Sequence, residues 1–336
     1  GEAQKRLKEL IEDGSLADDT IESVKALLES NPDLLTEDCS YWKNVKNNLE
    51  AYEKGLHSFY DGKKDRFPKV GSSISFPVGQ NFALILTAQQ DVNSGRNYAY
   101  AWMLRPGKGI DIWDQGLGTN GWVDIHEGKS GCPGKGTYYD SVVATEGTEE
   151  DFDYVDRVFV ESIYELLRRI SEYSDSKKRK LQCFVMDDYE RNNIESALFN
   201  MLENLDSVKE QELLDKVMAI LFWMQGERLV TDSDLEPEEC VENPVTVITT
   251  EISRLYVLSE GVSYSLRKSA SIFSPNFNFD DDTSNYFGTL SNVIEGMAII
   301  DAWKEKDTSK KNKRIESLAY HLRKRMFVEA AIINGI

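Results

Sequence analysis

The sequence feature that most constrains the fold is a pair of apolar segments joined by a short polar turn, within residues 81–104. The first segment, "NFALILTAQQD", has the apolar core that is typical of a central strand covered on both faces of a sheet. A turn, "NSGR", follows it, and "NYAYAWML" alternates well enough for an antiparallel partner strand. The sequence therefore predicts a hairpin whose first strand lies inside a larger sheet.

Helical patterns dominate the rest of the chain. The segment "EEDFDYVDRVFVESIYELLRRISEY" predicts a long amphipathic helix, because its apolar residues recur along one face. That face carries Val155, Phe159, Ile163, Leu166 and Ile170. "KLQCFVMD" predicts a short buried strand, and a helix is expected directly after it. Three later segments also predict helices: "EQELLDKVMAILFWM", "LSNVIEGMAIIDAWKE" and "NKRIESLAYHLRKRMFVEAAII".

Two regions give mixed signals. "NPVTVITTEISRLYVLS" fits a helix or a strand, and its start at Asn243-Pro244 favours a helix. Residues 105–150 are rich in Gly, Trp and Asp, which indicates loops with one edge strand at "GWVDIH".

The order of these elements sets the expected fold class, which is α/β. Residues 1–66 carry helical patterns and a polar loop, so we predict a helical lead-in there. Residues 67–336 run through a strand, a hairpin strand, a helix, a strand and further helices, and this order resembles an RNase H-like core. We therefore expect one RNase H-like domain, a mixed sheet flanked by helices, with helical insertions and helical additions at its C-terminal end.

The charge of the chain limits its function classes. The 336 residues carry a formal net charge of −19, whereas a free-standing nucleic-acid binder usually carries a basic excess. Local basic runs are interpreted first as solvated loops and second as contacts to nucleic acid. The candidate nucleic-acid contacts are Lys177, Lys178, Arg179, Lys180, Arg323, Lys324 and Arg325.

Cysteine usage and hydropathy bear on compartment. The four cysteines form no CxxC pair, so a reducing, cytoplasmic compartment is expected and a zinc site is not. The apolar runs are too short for a membrane span, and the charged start is not a signal peptide. Because the chain starts at Gly1 and stops within the apolar pattern "EAAIINGI", we expect it to be a piece of a larger protein.

Two loops resemble ligand-binding motifs but depart from them. Gly128-Lys129-Ser130 matches the end of a Walker A loop, yet Val123 stands where the motif needs its first glycine. The run Asp280–Asp282 lacks the glycine and glutamate of a calcium loop. Both are interpreted as surface loops.

The candidate catalytic acids are Asp91, Asp187, Asp188 and Glu190, at the ends of the two predicted strands. Acids that converge there can hold the two metal ions of a nuclease, which lower the pKa of a water and bind both oxygens of the displacement. A structural role competes with this interpretation. Asp91 follows its strand into a turn, where Asp commonly binds backbone amides, and Asp187 or Asp188 is placed to cap the next helix.

Several segments in order resemble the middle region of proteins that fuse a RecB-family nuclease to a superfamily 1 DNA helicase. They are "FPVGQNFALILTAQQDVNSG", "QCFVMDDYERNNIESALFNML", "NPVTVITTEISRLYVLSEGVSYSLRKSASIF" and "LSNVIEGMAIIDAW" with "NKRIESLAYHLRKRM". The similarity covers residues 35–326 in patches. No single segment is specific, and the ordered set carries the resemblance.

In simpler relatives this region resembles a DEDD-type exonuclease, with an Asp-x-Glu pair on the first strand and an aspartate on the last helix. This chain has "TAQQD" on the strand, and after Tyr320 the last helix offers lysines, arginines and then Glu329. The resemblance therefore implies a decayed active site, in which Asp91, Asp187 and Glu190 are the positions carried over as vestigial.

The expected function is thus a non-catalytic scaffold, or a module that positions nucleic acid, between the nuclease and helicase domains of one polypeptide. DNA is the expected partner, no metal or other cofactor is expected, and ATP binding belongs to the parent protein. One alternative is an active 3′–5′ exonuclease that uses Mg²⁺ or Mn²⁺. Another is a protein-interaction module with no nucleic-acid role, which the net charge of −19 favours.

Overall fold

The structure is a computed structural model that describes residues 81–107, 137–225, 244–257 and 292–335, with isolated positions at 25–26, 29–30, 46, 49, 58–59, 266 and 269. The predicted lead-in over residues 1–66 falls almost wholly outside the described residues. So do the predicted strand "GWVDIH", the loop at Gly128-Lys129-Ser130 and the acidic run Asp280–Asp282.

The described residues include seven strands, which form two sheets. Their bounds are β1 Ser58–Phe59, β2 Phe82–Gln90, β3 Asn97–Pro106, β4 Tyr138–Val143, β5 Leu181–Val185, β6 Val245–Val247 and β7 Tyr256–Val257. β1 and β7 pair as an antiparallel ribbon. The others form a five-stranded sheet in the order β4-β3-β2-β5-β6, in which β2, β3 and β4 pair antiparallel and β2, β5 and β6 pair parallel. The fold is therefore α/β with an open mixed sheet.

Six helices are described in the same ranges of the chain. They are α1 Glu149–Ser171, α2 Asp188–Asn204, α3 Gln211–Met224, α4 Ile248–Leu255, α5 Asn292–Trp303 and α6 Thr308–Gly335. A single 3-10 turn, Ser176–Lys178, lies between α1 and β5. None of the helices in the described part of the chain has the length and apolar character needed to cross a bilayer.

The predicted central strand is confirmed. β2 lies in the middle of the five-stranded sheet, and seven of its nine residues are buried. The turn that follows ends at Gly95, whose φ of +72° is a conformation that glycine adopts without steric cost. β3 is buried over its first eight residues, so the hairpin forms the centre of the core.

The predicted amphipathic helix is also confirmed, as α1. Thr148 caps it by accepting a hydrogen bond from the amide of Asp151, and three acids occupy its first turn. All five residues of the predicted apolar stripe are buried in the core. The capping residue and acidic first turn therefore favour the same helix that the apolar stripe predicts.

α1 and α6 cover opposite faces of the sheet. Phe159 of α1 stacks on Tyr100 of β3, with ring centroids 4.2 Å apart. Tyr139 of β4, which pairs with Met103, donates a hydrogen bond to a backbone carbonyl of α6. Because successive strand residues point to opposite faces, Met103 and Tyr100 face opposite sides. The cores on the two sides of β2 are thus built by different parts of the chain.

Two sequence predictions need correction. The segment after Asn243-Pro244 begins with the strand β6, and the helix α4 starts only at Ile248. β6 pairs in parallel with β5, so tertiary pairing extends Val245–Val247 before the helical pattern takes over. Residues 105–150 include the edge strand β4, whose residues are half-buried and which was predicted as loop.

Candidate functional site

The carboxyl ends of β2 and β5 meet at one edge of the sheet, here called the C-terminal edge, because the two strands run parallel. Ligand sites of open α/β sheets are built at this kind of edge. α2 begins there, directly after β5, and Asp187 caps it by accepting a hydrogen bond of 2.9 Å from the amide of Glu190. The prediction that Asp187 or Asp188 caps this helix is therefore confirmed for Asp187.

Glu190 lies in the first turn of α2 and is fully buried. Its Oε1 accepts a hydrogen bond from the Thr87 hydroxyl of β2 at 2.7 Å and one from Nη2 of Arg325 at 2.5 Å. Its Oε2 accepts a hydrogen bond from the backbone amide of Met186 at 3.3 Å. Three donors from three elements thus hold one carboxylate, which is the arrangement expected of a buried ionised acid.

Arg325 reaches this site from α6 and contacts a second acid on its own helix. Its Nε lies 3.2 Å from Oε1 of Glu329, one helical turn further on. Arg325 is 2% exposed and Glu329 is fully buried. Neither oxygen of Glu329 accepts a hydrogen bond from the described residues. One guanidinium is therefore shared between two buried carboxylates, and only Glu190 receives hydrogen bonds.

The surroundings of the two glutamates act differently on their pKa values. Burial raises the pKa of Glu190, but the Arg325 guanidinium and the Thr87 hydroxyl oppose this rise. Burial and the negative charge of Glu190 raise the pKa of Glu329 well above its usual value, and Arg325 opposes the rise. Because Glu329 lacks the hydrogen bonds that stabilise Glu190 as an anion, the surroundings favour the protonated form of Glu329 more strongly than that of Glu190. We call Thr87, Glu190, Arg325 and Glu329 the arginine cluster.

Asp91, the first of the predicted catalytic acids, binds groups of its own turn through its carboxylate. Its Oδ1 accepts a hydrogen bond from the amide of Asn93 at 3.2 Å. Its Oδ2 accepts bonds from the amide and the hydroxyl of Ser94, at 3.1 and 2.8 Å. The expected backbone role of Asp91 is therefore confirmed, and its carboxylate folds onto the turn.

Asp188, another predicted catalytic acid, lies at the surface of α2. It is exposed, and its carboxylate accepts a hydrogen bond from Thr250 at 3.4 Å. Of the four predicted acids, Asp187, Asp188 and Glu190 therefore lie at the start of α2, and of these only Glu190 belongs to the arginine cluster. Asp91 lies at the same edge and binds its own turn.

The residues at this edge do not fit a pair of divalent metal ions. Such a pair needs several acids, and the strand that enters the cluster contributes Thr87 and Gln89, which are neutral. Gln89 is 2% exposed and donates a hydrogen bond to Thr87. No group of three or more His, Cys, Asp or Glu side chains within the described ranges has the geometry of a metal site. A fixed guanidinium also supplies the positive charge beside Glu190.

The predicted nucleic-acid contacts fall at two separate places. Lys177, Lys178, Arg179 and Lys180 are exposed, and they precede β5, at the edge opposite the arginine cluster. Lys324 is half-buried on α6. The guanidinium of Arg323, also half-buried, lies 5.6 Å above the ring of Phe327. Arg325 is inside the arginine cluster, so it does not face solvent. The two basic runs therefore form no common surface.

Three members of the arginine cluster were not identified as site residues: Thr87, Arg325 as the partner of Glu190, and Glu329. A weak signal exists on α6, where Arg325 and Glu329 are four residues apart among Met326, Phe327 and Val328. Charges at this spacing within an apolar stretch indicate an internal ion pair. Nothing local identifies Glu190 as the third partner.

Comparisons of this chain with protein-family models, with curated proteins and with solved structures each found no match. The functional argument therefore depends on the chain's own geometry.

Proposed function

We propose that this chain is a non-catalytic RNase H-like domain that serves as a scaffold within a larger nuclease–helicase protein. The strand order supports the fold assignment. Three consecutive antiparallel strands are followed, after a helix, by two strands that add in parallel on the other side of β2. This is the arrangement that the RNase H-like resemblance implies, with α6 as the last helix packed over the sheet.

The observation that carries the proposal is the position of Arg325. Its guanidinium lies 2.5 Å from Glu190, at the sheet edge where the resemblance implies that the catalytic acids converge. Thr87 and Gln89 have the one-residue spacing of the Asp-x-Glu pair that the resemblance expects, and both are neutral. A protein cation and two neutral side chains thus take the places of acids.

This substitution removes the chemistry of metal-assisted hydrolysis. A metal ion lowers the pKa of a bound water and accepts oxygen ligands, whereas a guanidinium has no open coordination position and donates hydrogen bonds. The positive charge of Arg325 also repels an incoming divalent ion. The cluster therefore stabilises the fold at this edge. Because Arg325 already compensates the negative charge there, two further metal ions would not be balanced.

A cleavage assay tests the proposal. The purified chain is incubated with end-labelled single-stranded DNA and Mn²⁺, and we expect no metal-dependent products. When Mn²⁺ is titrated into the chain in a calorimeter, we expect no heat of binding. Cleavage that requires Mn²⁺ and disappears in Asp91→Ala, with the circular dichroism spectrum unchanged, would contradict the proposal.

The second candidate is a working DEDD-type exonuclease that binds Mg²⁺ or Mn²⁺. The observation that favours it is the location of Asp91, Asp187, Asp188 and Glu190 at one sheet edge. It predicts tight metal binding and Mn²⁺-dependent products in the same experiments. The third candidate, a protein-interaction module, predicts neither cleavage nor DNA binding at low salt.

A further inference from the structure

We propose that the exposed basic loop at the opposite edge of the sheet, formed by Lys177, Lys178, Arg179 and Lys180, binds the phosphate backbone of a single-stranded nucleic acid. This inference deepens the proposed function and rests on it for the choice of nucleic acid as the polyanion. We call these four residues the basic loop.

The basic loop is held in place by the fold. Asp175 accepts a hydrogen bond from the amide of Lys177 at 3.1 Å and so caps the 3-10 turn. The carbonyl of Lys180 accepts hydrogen bonds from the amides of Asn81 and Phe82, both at 2.9 Å, which ties the loop to the start of β2. The cations therefore extend from a fixed backbone, which reduces the ordering that binding requires.

The charge of the basic loop is largely uncompensated. Lys178 lies 3.5 Å from Asp175, but Lys177, Arg179 and Lys180 form no ion pair with a carboxylate of the described residues. Arg179 donates a hydrogen bond to the carbonyl of Tyr173 instead. Arginines elsewhere in the described ranges are commonly paired: Arg96, Arg157, Arg168, Arg169, Arg191, Arg314 and Arg325. In a chain of net charge −19, these adjacent cations lack most of their possible carboxylate partners, and an external anion can supply them.

The side chains around the loop favour a phosphate backbone over other polyanionic surfaces. The adjacent exposed residues are Ser171, Glu172, Ser174 and Ser176, which offer no apolar groups for insertion into a membrane. The half-buried Tyr173 is the aromatic residue among them, and its ring packs edge-on against Phe82 at 5.9 Å rather than standing free to stack on a base. Binding through lysine and arginine charges alone is insensitive to base sequence and depends steeply on salt.

The location of the loop also agrees with binding without cleavage. β5 separates Lys180 from the start of α2, and its five residues span about 17 Å at the usual rise of a strand. A strand of nucleic acid held by the basic loop therefore runs along the edge away from Asp187 and Glu190. The domain would position the strand and leave the reaction to another domain.

Two double variants test the inference by fluorescence anisotropy with a labelled oligothymidine at low and physiological salt. Lys177→Ala with Lys180→Ala removes two cations from the basic loop. The control, Lys310→Ala with Lys313→Ala, removes two exposed cations at the start of α6. That helix start lies near the C-terminal edge, since Lys311 pairs with Glu146, which follows β4.

We expect the wild-type chain to bind the oligonucleotide at low salt and the control to bind as the wild type does. The loop variant should lose affinity several-fold, and the slope of log affinity against log salt should fall by about 1.4, since each single-strand phosphate contact contributes about 0.7. Absence of wild-type binding, or an equal loss in both variants, would overturn the inference. Equal affinity for polyglutamate or for anionic vesicles would overturn the choice of nucleic acid.

These outcomes separate the inference from the function on which it rests. Mn²⁺-dependent cleavage by the wild-type chain contradicts the non-catalytic proposal and leaves the anisotropy result unaffected. Conversely, a chain that neither cleaves nor binds DNA overturns the basic loop as a nucleic-acid contact. It leaves the non-catalytic assignment in place and favours the protein-interaction module.

Discussion

Two arginines, Arg96 and Arg325, each draw several carboxylates together near the C-terminal edge of the sheet, and they differ in access to water. The side chain of Arg96 is 22% exposed, and its partners Glu149 and Asp153 are 67% and 61% exposed. The side chain of Arg325 is 3% exposed and that of Glu190 is fully buried. Excess negative charge around Arg96 is hydrated, whereas around Arg325 it has no water to stabilise it.

The buried acid of each cluster shows how the fold responds. Asp156, the buried partner of Arg96, accepts a hydrogen bond of 2.6 Å from the Tyr100 hydroxyl as well as one of 3.0 Å from Arg96. Both of its oxygens therefore have a donor. Neither oxygen of Glu329 accepts a hydrogen bond from the described residues, and burial together with the charge of Glu190 raises its pKa, which favours the neutral acid. A solvent-exposed cluster tolerates an unpaired charge because water stabilises it. In a buried cluster such a charge must be neutralised.

Removal of the central cation gives the largest expected difference between the two clusters. Arg325→Met leaves Glu190 buried without its counter-ion, and breaking a buried pair in this way costs about 3–5 kcal/mol. The free energy of unfolding, from urea denaturation followed by circular dichroism, should fall by that amount. Arg96→Met is the matched control and should lose less stability, because Glu149 and Asp153 are exposed to solvent and the buried Asp156 keeps its hydrogen bond from Tyr100. Equal losses in the free energy of unfolding would contradict the distinction between the solvent-exposed cluster and the buried one.

The pH dependence of stability gives the next largest effect. The folded-state pKa of Glu329 is raised above the ordinary value of 4.5, so between those two pKa values the folded chain binds more protons than the unfolded chain. Its contribution to stability is therefore complete below pH 4.5 and is lost as pH rises toward the folded pKa. The slope approaches about 1.4 kcal/mol per pH unit.

Glu329→Gln isolates this contribution, because the amide keeps the shape of the protonated acid and cannot ionise. The difference in unfolding free energy between the variant and the wild type should grow in favour of the variant as pH rises from 5 to 8. Titrating groups outside the arginine cluster cancel in this difference. A difference that stays constant over that range would show that Glu329 is ionised in the folded chain.

Local patterns predicted the parts of the fold that local physics determines. The apolar run of β2, the stripe of α1 and the cap at Asp187 are each visible within a few residues of sequence. β6 escaped prediction because its three residues become a strand only by pairing with β5. β4 escaped because an edge strand with half-buried residues lacks a clear apolar alternation.

The candidate site was predictable in location but not in chemistry. The strand ends at Asp91 and Asp187 identify the sheet edge, and the neutral side chains of "TAQQD" were the basis for predicting a site without metal ions. The contact between Glu190 and Arg325 joins residues 135 positions apart, and Arg325 was instead assigned to a basic surface run. Only the packing of α6 over the sheet shows that this arginine is internal.

The smallest expected effect comes from an exposed member of the Arg96 cluster. Glu149 binds Nη1 of Arg96 at 2.6 Å, yet its side chain is 67% exposed, so water replaces the lost partner. Glu149→Gln should change the free energy of unfolding by less than about 1 kcal/mol, and added salt should remove most of that change. The effect of Arg325→Met should persist in the same salt, because its pair is shielded from the solvent ions. If salt weakened both effects alike, water would reach the arginine cluster, and Glu329 would have no physical reason to keep its proton.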